Sequence, residues 1–439
     1  MTPMTPSTNS PEPSAVAHRG WSVTFAGLGI NLALGVLYTW SMFKEAIKSE
    51  FVNGPSGWKA DQLNDPYALC CLVFAFAMII AGRCQDKLGP RLTAVIGGLL
   101  VGAGMVCISF TSSYTVWLLG FGLLVGLGLG FGYSSATPPA LKWFPPSKTG
   151  MIAGLVVSGF GLAPVYLAPL SKYLLAHYKL QGSMLIFGIA FTVIVCGLAQ
   201  FLVNPPAGYS AAPAGGASAN KPATANASPA ELFRSPLFYL LWFIYFIGSG
   251  AGLMVISSIS GMAKKSMGEM AFIAVAIMAV GNAGGRITAG TLSDKIGRRW
   301  TLFIVHVFQA ALMFAAIPIT ASKSSPAAVI VLLAALVGAN YGANLSLFPS
   351  MTKDLWGLKS FGINYGILFT AWGVGGFILS RVQQMLTAAS AGSYQSSFIA
   401  AGVLLLVSGG LTFLIGPTHR THHVTSASEV PVAVDPAAD

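Results

Sequence analysis

The stretch Gly82-Arg83-Cys84-Gln85-Asp86-Lys87-Leu88-Gly89-Pro90-Arg91 returns further along the chain as Gly290-Thr291-Leu292-Ser293-Asp294-Lys295-Ile296-Gly297-Arg298-Arg299. Gly82 and Gly290, Asp86 and Asp294, Lys87 and Lys295, Gly89 and Gly297, and Arg91 and Arg299 all stand 208 positions apart. Each copy lies between two strongly apolar stretches. It therefore reads as a short, sharply turned loop that holds cations at a membrane surface, with glycines that let helix ends approach closely. Five matches in one register, in matching hydropathy contexts, mark the chain as a duplication.

Composition agrees with a membrane setting. The 439 residues are 54% hydrophobic and 8% charged, with mean hydropathy +0.70, whereas a soluble domain carries about 25% charged residues. Crossing the hydrocarbon core takes roughly 20 residues of helix. Twelve apolar runs of that order lie near 21–43, 67–83, 92–111, 116–136, 150–174, 183–203, 236–260, 270–291, 300–319, 327–349, 361–386 and 395–416. The formal net charge of +11 follows topology rather than clustering as a nucleic-acid footprint. With both ends cytoplasmic, fourteen cations fall on the inner side and nine on the outer side, as the positive-inside rule favours. The five cysteines lie in or beside apolar runs without metal-ligand spacing and read as small packing residues. The first 18 residues lack a cationic start followed by an apolar core, so the first span itself serves as insertion signal.

The repeated loop resembles the signature loop that the major facilitator superfamily of secondary transporters carries after its second and eighth helices. The resemblance covers about Gly20 to Pro417. It implies an all-α membrane protein of twelve transmembrane helices in two pseudo-symmetric six-helix bundles around a central substrate site. The expected divisions are a disordered tail at 1–18, a first bundle at 19–204, a cytoplasmic linker at 205–230, a second bundle at 231–417 and a disordered tail at 418–439. The linker is rich in Pro, Ala, Gly, Ser and Asn with one charge, Lys221, too polar and small to order itself. Lys44 to Asp65 is a long segment with Trp58 and Pro55, followed directly by Pro66. It reads either as a lid or as a partly ordered cap.

One cation stands apart from the loops. Arg286 precedes Asp294 by eight residues, a helical rise of about 12 Å, which puts it near mid-depth in a core about 30 Å thick. A lone guanidinium there costs about 3 kcal/mol or more, and no Asp or Glu lies inside a span except near an end. The counter-ion is then expected to be the substrate, a carboxylate gripped by the planar fork; the alternative is a guanidinium satisfied by helix carbonyls and water. Asn282, four residues earlier on the same helix face, positions the substrate, holds Arg286 in one rotamer, or serves packing alone.

This pair resembles the eighth-span pair of the monocarboxylate transporters and of the oxalate:formate antiporter branch. In animal monocarboxylate transporters an aspartate stands where this chain has Asn282, which cannot titrate. Trp372 stands where the antiporter has a lysine, and Leu37 aligns with the first-span lysine of the animal proteins. One buried cation in place of two fits a monoanion. Tyr38, Tyr133, Tyr341 and Trp372, with Asn31, are the candidates to complete a small amphipathic pocket; for each tyrosine an interhelical hydrogen bond is the alternative. Tyr133 and Tyr341 are again 208 apart. His306 has the side chain suited to proton handling.

The resulting expectation is a secondary active transporter of small monocarboxylates such as lactate or pyruvate, by alternating access and proton symport, with anion exchange of the oxalate:formate type as the alternative. Its partners would be the anion, a proton and the lipid bilayer of the inner plasma membrane, with both termini cytoplasmic and a monomeric transport unit. No nucleic acid, cofactor or metal is implied. No Ser/His/Asp or paired-carboxylate constellation suggests an enzyme with catalytic residues, and no GxxxxGK[ST] loop suggests a pump.

Overall fold

The computed structural model describes residues 13–54, 56–206, 209, 226–267, 271–321, 326–390 and 393–416. The C-terminal tail at 418–439, most of the N-terminal tail and most of the linker lie outside the described residues. Every long element is a helix: α1 (Pro13–Leu34), α2 (Trp40–Ile47), α3 (Asp65–Leu88), α4 (Pro90–Ser109), α5 (Tyr114–Trp117), α6 (Gly126–Trp143) and α7 (Thr149–Ala199) form the first half. The second half comprises α8 (Pro229–Arg234), α9 (Pro236–Met267), α10 (Ala271–Ile296), α11 (Arg298–Ala321), α12 (Ala327–Trp356), α13 (Phe361–Ala389) and α14 (Gln395–Leu411). Large apolar side chains such as Ile80, Val193 and Met385 stay exposed, as helices surrounded by lipid require.

Among the described residues, eleven helices are long and apolar enough to span a membrane, yet the chain crosses twelve times. A straight α7 of 51 residues would reach about 76 Å, over twice the hydrocarbon thickness. It breaks at Lys179, whose φ of 56° and ψ of −174° leave the helical region. Gly150, near its start, meets Asp294, and the Gln200 carbonyl just past its end accepts from Arg91, so both ends return to the signature-loop face. Glu50 Oε1 accepts from the Leu180 amide, 3.1 Å, and caps the second limb. The two-helix reading therefore stands, with a one-residue hinge where a loop was expected.

Three segments are more ordered than their composition suggested. Helix α1 begins at Pro13, inside the expected tail. The segment 44–65 is mostly helical and docks on its own bundle: Phe51 and Trp58 are buried against Trp117, and Trp58 Nε1 donates to the Ser112 carbonyl. This favours the cap over the lid. At the end of the linker, Ser228 and Glu231 close a capping box on α8, and the backbone hydrogen bond from Ser228 holds the Glu231 carboxyl below the usual carboxylate range. The Ala227 amide donates to Trp356 and the Ala227 carbonyl accepts from Asn364.

The duplicated loops shut one face of the molecule. Gly89 and Gly297 hold φ at +85° and +91°, a left-handed turn that glycine alone enters without strain. Each turn fixes an aspartate against the opposite bundle. Asp86 accepts from the Gly362 and Ile363 amides at 2.9 and 3.0 Å, the first turn of α13. Asp294 accepts from the Gly150 and Met151 amides at 2.8 Å each, the first turn of α7. An anion at a helix N-terminus satisfies orphan amides and the macrodipole together. The second latch is braced further: Arg298 pairs with Asp294 at 2.7 Å and Asp354 at 2.8 Å. Lys353 Nζ crosses to the Leu141 carbonyl and to Thr149 Oγ1. In the first copy the residue matching Arg298 is Pro90, which cannot do this.

Neutralising both aspartates (D86N with D294N) removes two helix-capping anions, each worth about 1 kcal/mol, and raises the population open at this face roughly fivefold per site. Spin labels at K87C and K295C, with the five native cysteines replaced, should report a longer and broader distance distribution. An unchanged distribution would contradict the latch.

Candidate functional site

Where α3, α6, α7, α10, α12 and α13 converge, Tyr38, Phe74, Tyr133, Phe160, Arg286, Leu345, Phe369 and Trp372 enclose a cavity with room for about one water molecule. Tyr38 reaches it from the 3-10 turn Gly35–Thr39 that interrupts the first crossing. The walls come from both bundles and are aromatic except at Leu345 and the guanidinium.

Arg286 is 0% exposed, so its charge is held within the protein and away from lipid. Its Nε donates to Asn282 Oδ1 at 2.9 Å, and Nη1 donates across the bundle interface to the Val157 carbonyl at 2.5 Å. Nη2 is buried and makes no hydrogen bond of good geometry, with the Tyr38 hydroxyl in loose contact beside the guanidinium. A buried guanidinium needs its donors satisfied and its charge balanced; here one corner of the fork is left over at the cavity. Close passage of α7 makes this arrangement possible. A Cβ on Gly161 would lie 3.0 Å from Asn282 Oδ1 and 3.1 Å from Arg286 Nε, so any larger residue would press on the pair.

The remaining expected residues divide into three groups. Tyr38, Tyr133 and Trp372 line the cavity with Arg286. Tyr341 stands just behind: its hydroxyl bonds the Tyr38 hydroxyl at 2.8 Å and accepts from Trp372 Nε1 at 2.8 Å, a bridge between bundles. Asn282 grips Arg286 rather than the cavity. Asn31 and Leu37 are buried outside the lining; Asn31 Nδ2 donates to the Val156 carbonyl, beside the carbonyl that Arg286 uses.

His306 lies elsewhere, inside the second bundle. Its Nδ1 meets Ser408 Oγ and its Nε2 meets Asn344 Oδ1, both at 2.9 Å. Because Asn344 Nδ2 donates to the Asn340 carbonyl, its Oδ1 is turned to the ring and Nε2 is the donor. With both nitrogens engaged away from the cavity, this histidine ties helices together.

Phe74, Phe160, Leu345 and Phe369 were not singled out by the sequence. Of these only Phe369 carried a signal, three residues before Trp372 and so on the same face of α13; phenylalanines are otherwise too common in this chain to stand out.

The family model of the Major Facilitator Superfamily matches residues 20–380 and 268–437, and the chain belongs to this superfamily of membrane transporters. It is 28% identical over 375 residues to the uncharacterized MFS-type transporter YhjX of Escherichia coli K12, covering 83% of this chain and 87% of that protein. It is 27% identical over 359 residues to the oxalate:formate antiporter of Oxalobacter formigenes, covering 81% and 82%. To the rat monocarboxylate transporter 13 it is 23% identical over 396 residues, covering 89% and 88%. Among solved structures, the proton:xylose symporter XylE aligns with TM-score 0.70 at 13% identity, over 91% of this chain and 96% of that one, which speaks for the fold alone.

Removing the amide that grips Nε, as Asn282→Ala, should leave a buried donor unpaired at about 1–3 kcal/mol. The thermal midpoint should fall by a few degrees, and an unchanged midpoint would show that Asn282 does not hold the guanidinium.

Proposed function

We propose that this chain is a secondary carrier of small monocarboxylates of the lactate or pyruvate kind, coupled to protons, in a plasma membrane with both termini on the cytoplasmic side. The observation that carries this reading is the unpartnered Nη2 of Arg286, a buried cationic donor at the edge of the central cavity. A carboxylate there would make the charge-assisted bonds that Nη2 lacks, and its negative charge would offset the guanidinium. The ring walls suit a small acid with an apolar tail, and the hydroxyl of Tyr38 can reach a second oxygen.

A single cation supports a single negative charge as cargo. Trp372 occupies the position at which a second cation would hold a dicarboxylate, and its indole is already committed to Tyr341. Entry from the face opposite the signature loops would require the Tyr38–Tyr341 hydrogen bond to part, since the cavity has room for only about one water. Substrate would thus exchange one cross-bundle contact for another, a direct route from binding to closure.

Proton symport follows from charge balance. The empty site is cationic, and anion plus proton restores the same net charge, so empty and loaded carriers reorient with equal charge. Because His306 is bonded within its bundle, the proton would travel on the substrate or on a water beside it. The similarity to the oxalate:formate antiporter keeps exchange as the alternative outcome.

Two measurements test this. Arg286→Lys keeps the charge but loses the planar fork, and a lost charge-assisted hydrogen bond of about 1.5–3 kcal/mol lowers uptake kcat/KM roughly 10- to 100-fold; near-normal uptake would refute the assignment. In proteoliposomes an inward proton gradient should drive accumulation of lactate or pyruvate, rising as external pH falls. His306→Gln should keep that pH dependence. Uptake that instead requires internal substrate and ignores the gradient would favour exchange.

A further inference from the structure

Between the Arg286 cavity and the latched face lie three tyrosines, of which only Tyr133 also lines the cavity. Tyr133 of α6, Tyr245 of α9 and Tyr365 of α13 are 3%, 0% and 3% exposed. The Tyr365 hydroxyl faces those of Tyr133 and Tyr245 in loose side-chain contacts, and none of the three makes a hydrogen bond of good geometry. Their rings surround Phe369, at centroid distances of 5.5 Å from Tyr133, 6.3 Å from Tyr245 and 5.7 Å from Tyr365. Phe369 in turn stacks on Trp372 at 5.1 Å and shares the wall of the Arg286 cavity.

Each buried hydroxyl without a partner costs about 1–3 kcal/mol, and native proteins keep few of them. Three in one cluster, drawn from both bundles, are difficult to attribute to packing, because phenylalanine would fill the same space without the penalty. Tyr365 lies one turn of α13 beyond Phe361, beside the amides that Asp86 caps. Parting of the α3–α13 latch would therefore open this cluster first. The hydroxyls are unsatisfied when that face is shut and would gain partners when it opens, which weakens the closed form and favours an oxygen-rich visitor.

We propose that Tyr133, Tyr245 and Tyr365 form a second carboxylate subsite on the signature-loop side of Arg286, with Phe369 as the ring that separates the two. The inference rests on the carboxylate reading of Arg286. Three neutral O–H donors bind an anion less firmly than a guanidinium does, so the subsite takes the carboxylate from Arg286 during exit and releases it to water. Its natural ligand is the same small acid, held by hydrogen bonds without a counter-charge. Loading from the signature-loop face passes through it first, and loading from the other face does not depend on it.

Tyr245→Phe and Tyr365→Phe test this, since each removes only the orphaned oxygen. Proteoliposomes of known orientation would be offered labelled lactate, pyruvate, formate and oxalate in turn, from either face. For a transported acid, the KM measured from the signature-loop face should rise at least fivefold in each variant, while the KM from the opposite face stays within twofold of the unaltered protein. Equal KM values from both faces, or equal rises from both, would overturn the subsite. Thermal midpoints should equal or exceed that of the unaltered protein; a fall of several degrees would show that the hydroxyls are partnered at rest, and would also overturn it. If the unaltered protein moves none of the four acids, the carboxylate reading itself fails. That result is distinguishable from normal transport with unaffected variants.

Discussion

The molecule is organised around one guanidinium that cannot leave the interior and has too few partners there. Arg286 is anchored through Nε to its own helix and through Nη1 to the other bundle, and Nη2 is left at the cavity. The contact with the Val157 carbonyl makes the charge part of the bundle interface, so whatever binds Nη2 acts directly on the surface along which the halves move. The bare backbone of α7 permits this approach to α10: a Cβ on Gly154 would collide with the Arg286 carbonyl oxygen, and one on Gly161 would press on the Asn282–Arg286 pair.

The duplication supplies two like latches, and their differences give the fold a direction. Both aspartates cap the first turn of a helix in the opposite bundle, a contact available only while the signature-loop face is shut. The second latch adds the Arg298 pairs and the buried Lys353, and the first has Pro90 where Arg298 would be. The α10–α7 seam, which carries Arg286, is thus held more tightly than the α3–α13 seam, which carries Tyr365, Phe369 and Trp372. Opening would begin at the aromatic seam and leave the guanidinium in place until the substrate has moved.

Much of this was legible in the chain itself. The 208-residue register identified both latches and their aspartates, and a single cation eight residues from the surface singled out Arg286, which lines the central cavity. The partners of those groups were not legible, for a physical reason: Asp86, Asp294 and Arg286 all bind backbone amides or carbonyls, which every residue possesses. The turn at Lys179 was missed in form because the break is a single residue among good helix formers. His306 drew attention as the one histidine within a span, but its satisfaction by Ser408 and Asn344, 102 and 38 residues away, depends on packing that no local pattern announces. The aromatic walls were only partly visible, since 27 phenylalanines give composition without position.

The most direct test of the central claim is an experimental structure of the protein with a short monocarboxylate bound. The account predicts a carboxylate oxygen about 2.7–2.9 Å from Nη2 of Arg286, with the Asn282 contact to Nε retained. A carboxylate bound elsewhere in the cavity, with Nη2 satisfied by a backbone carbonyl, would contradict it.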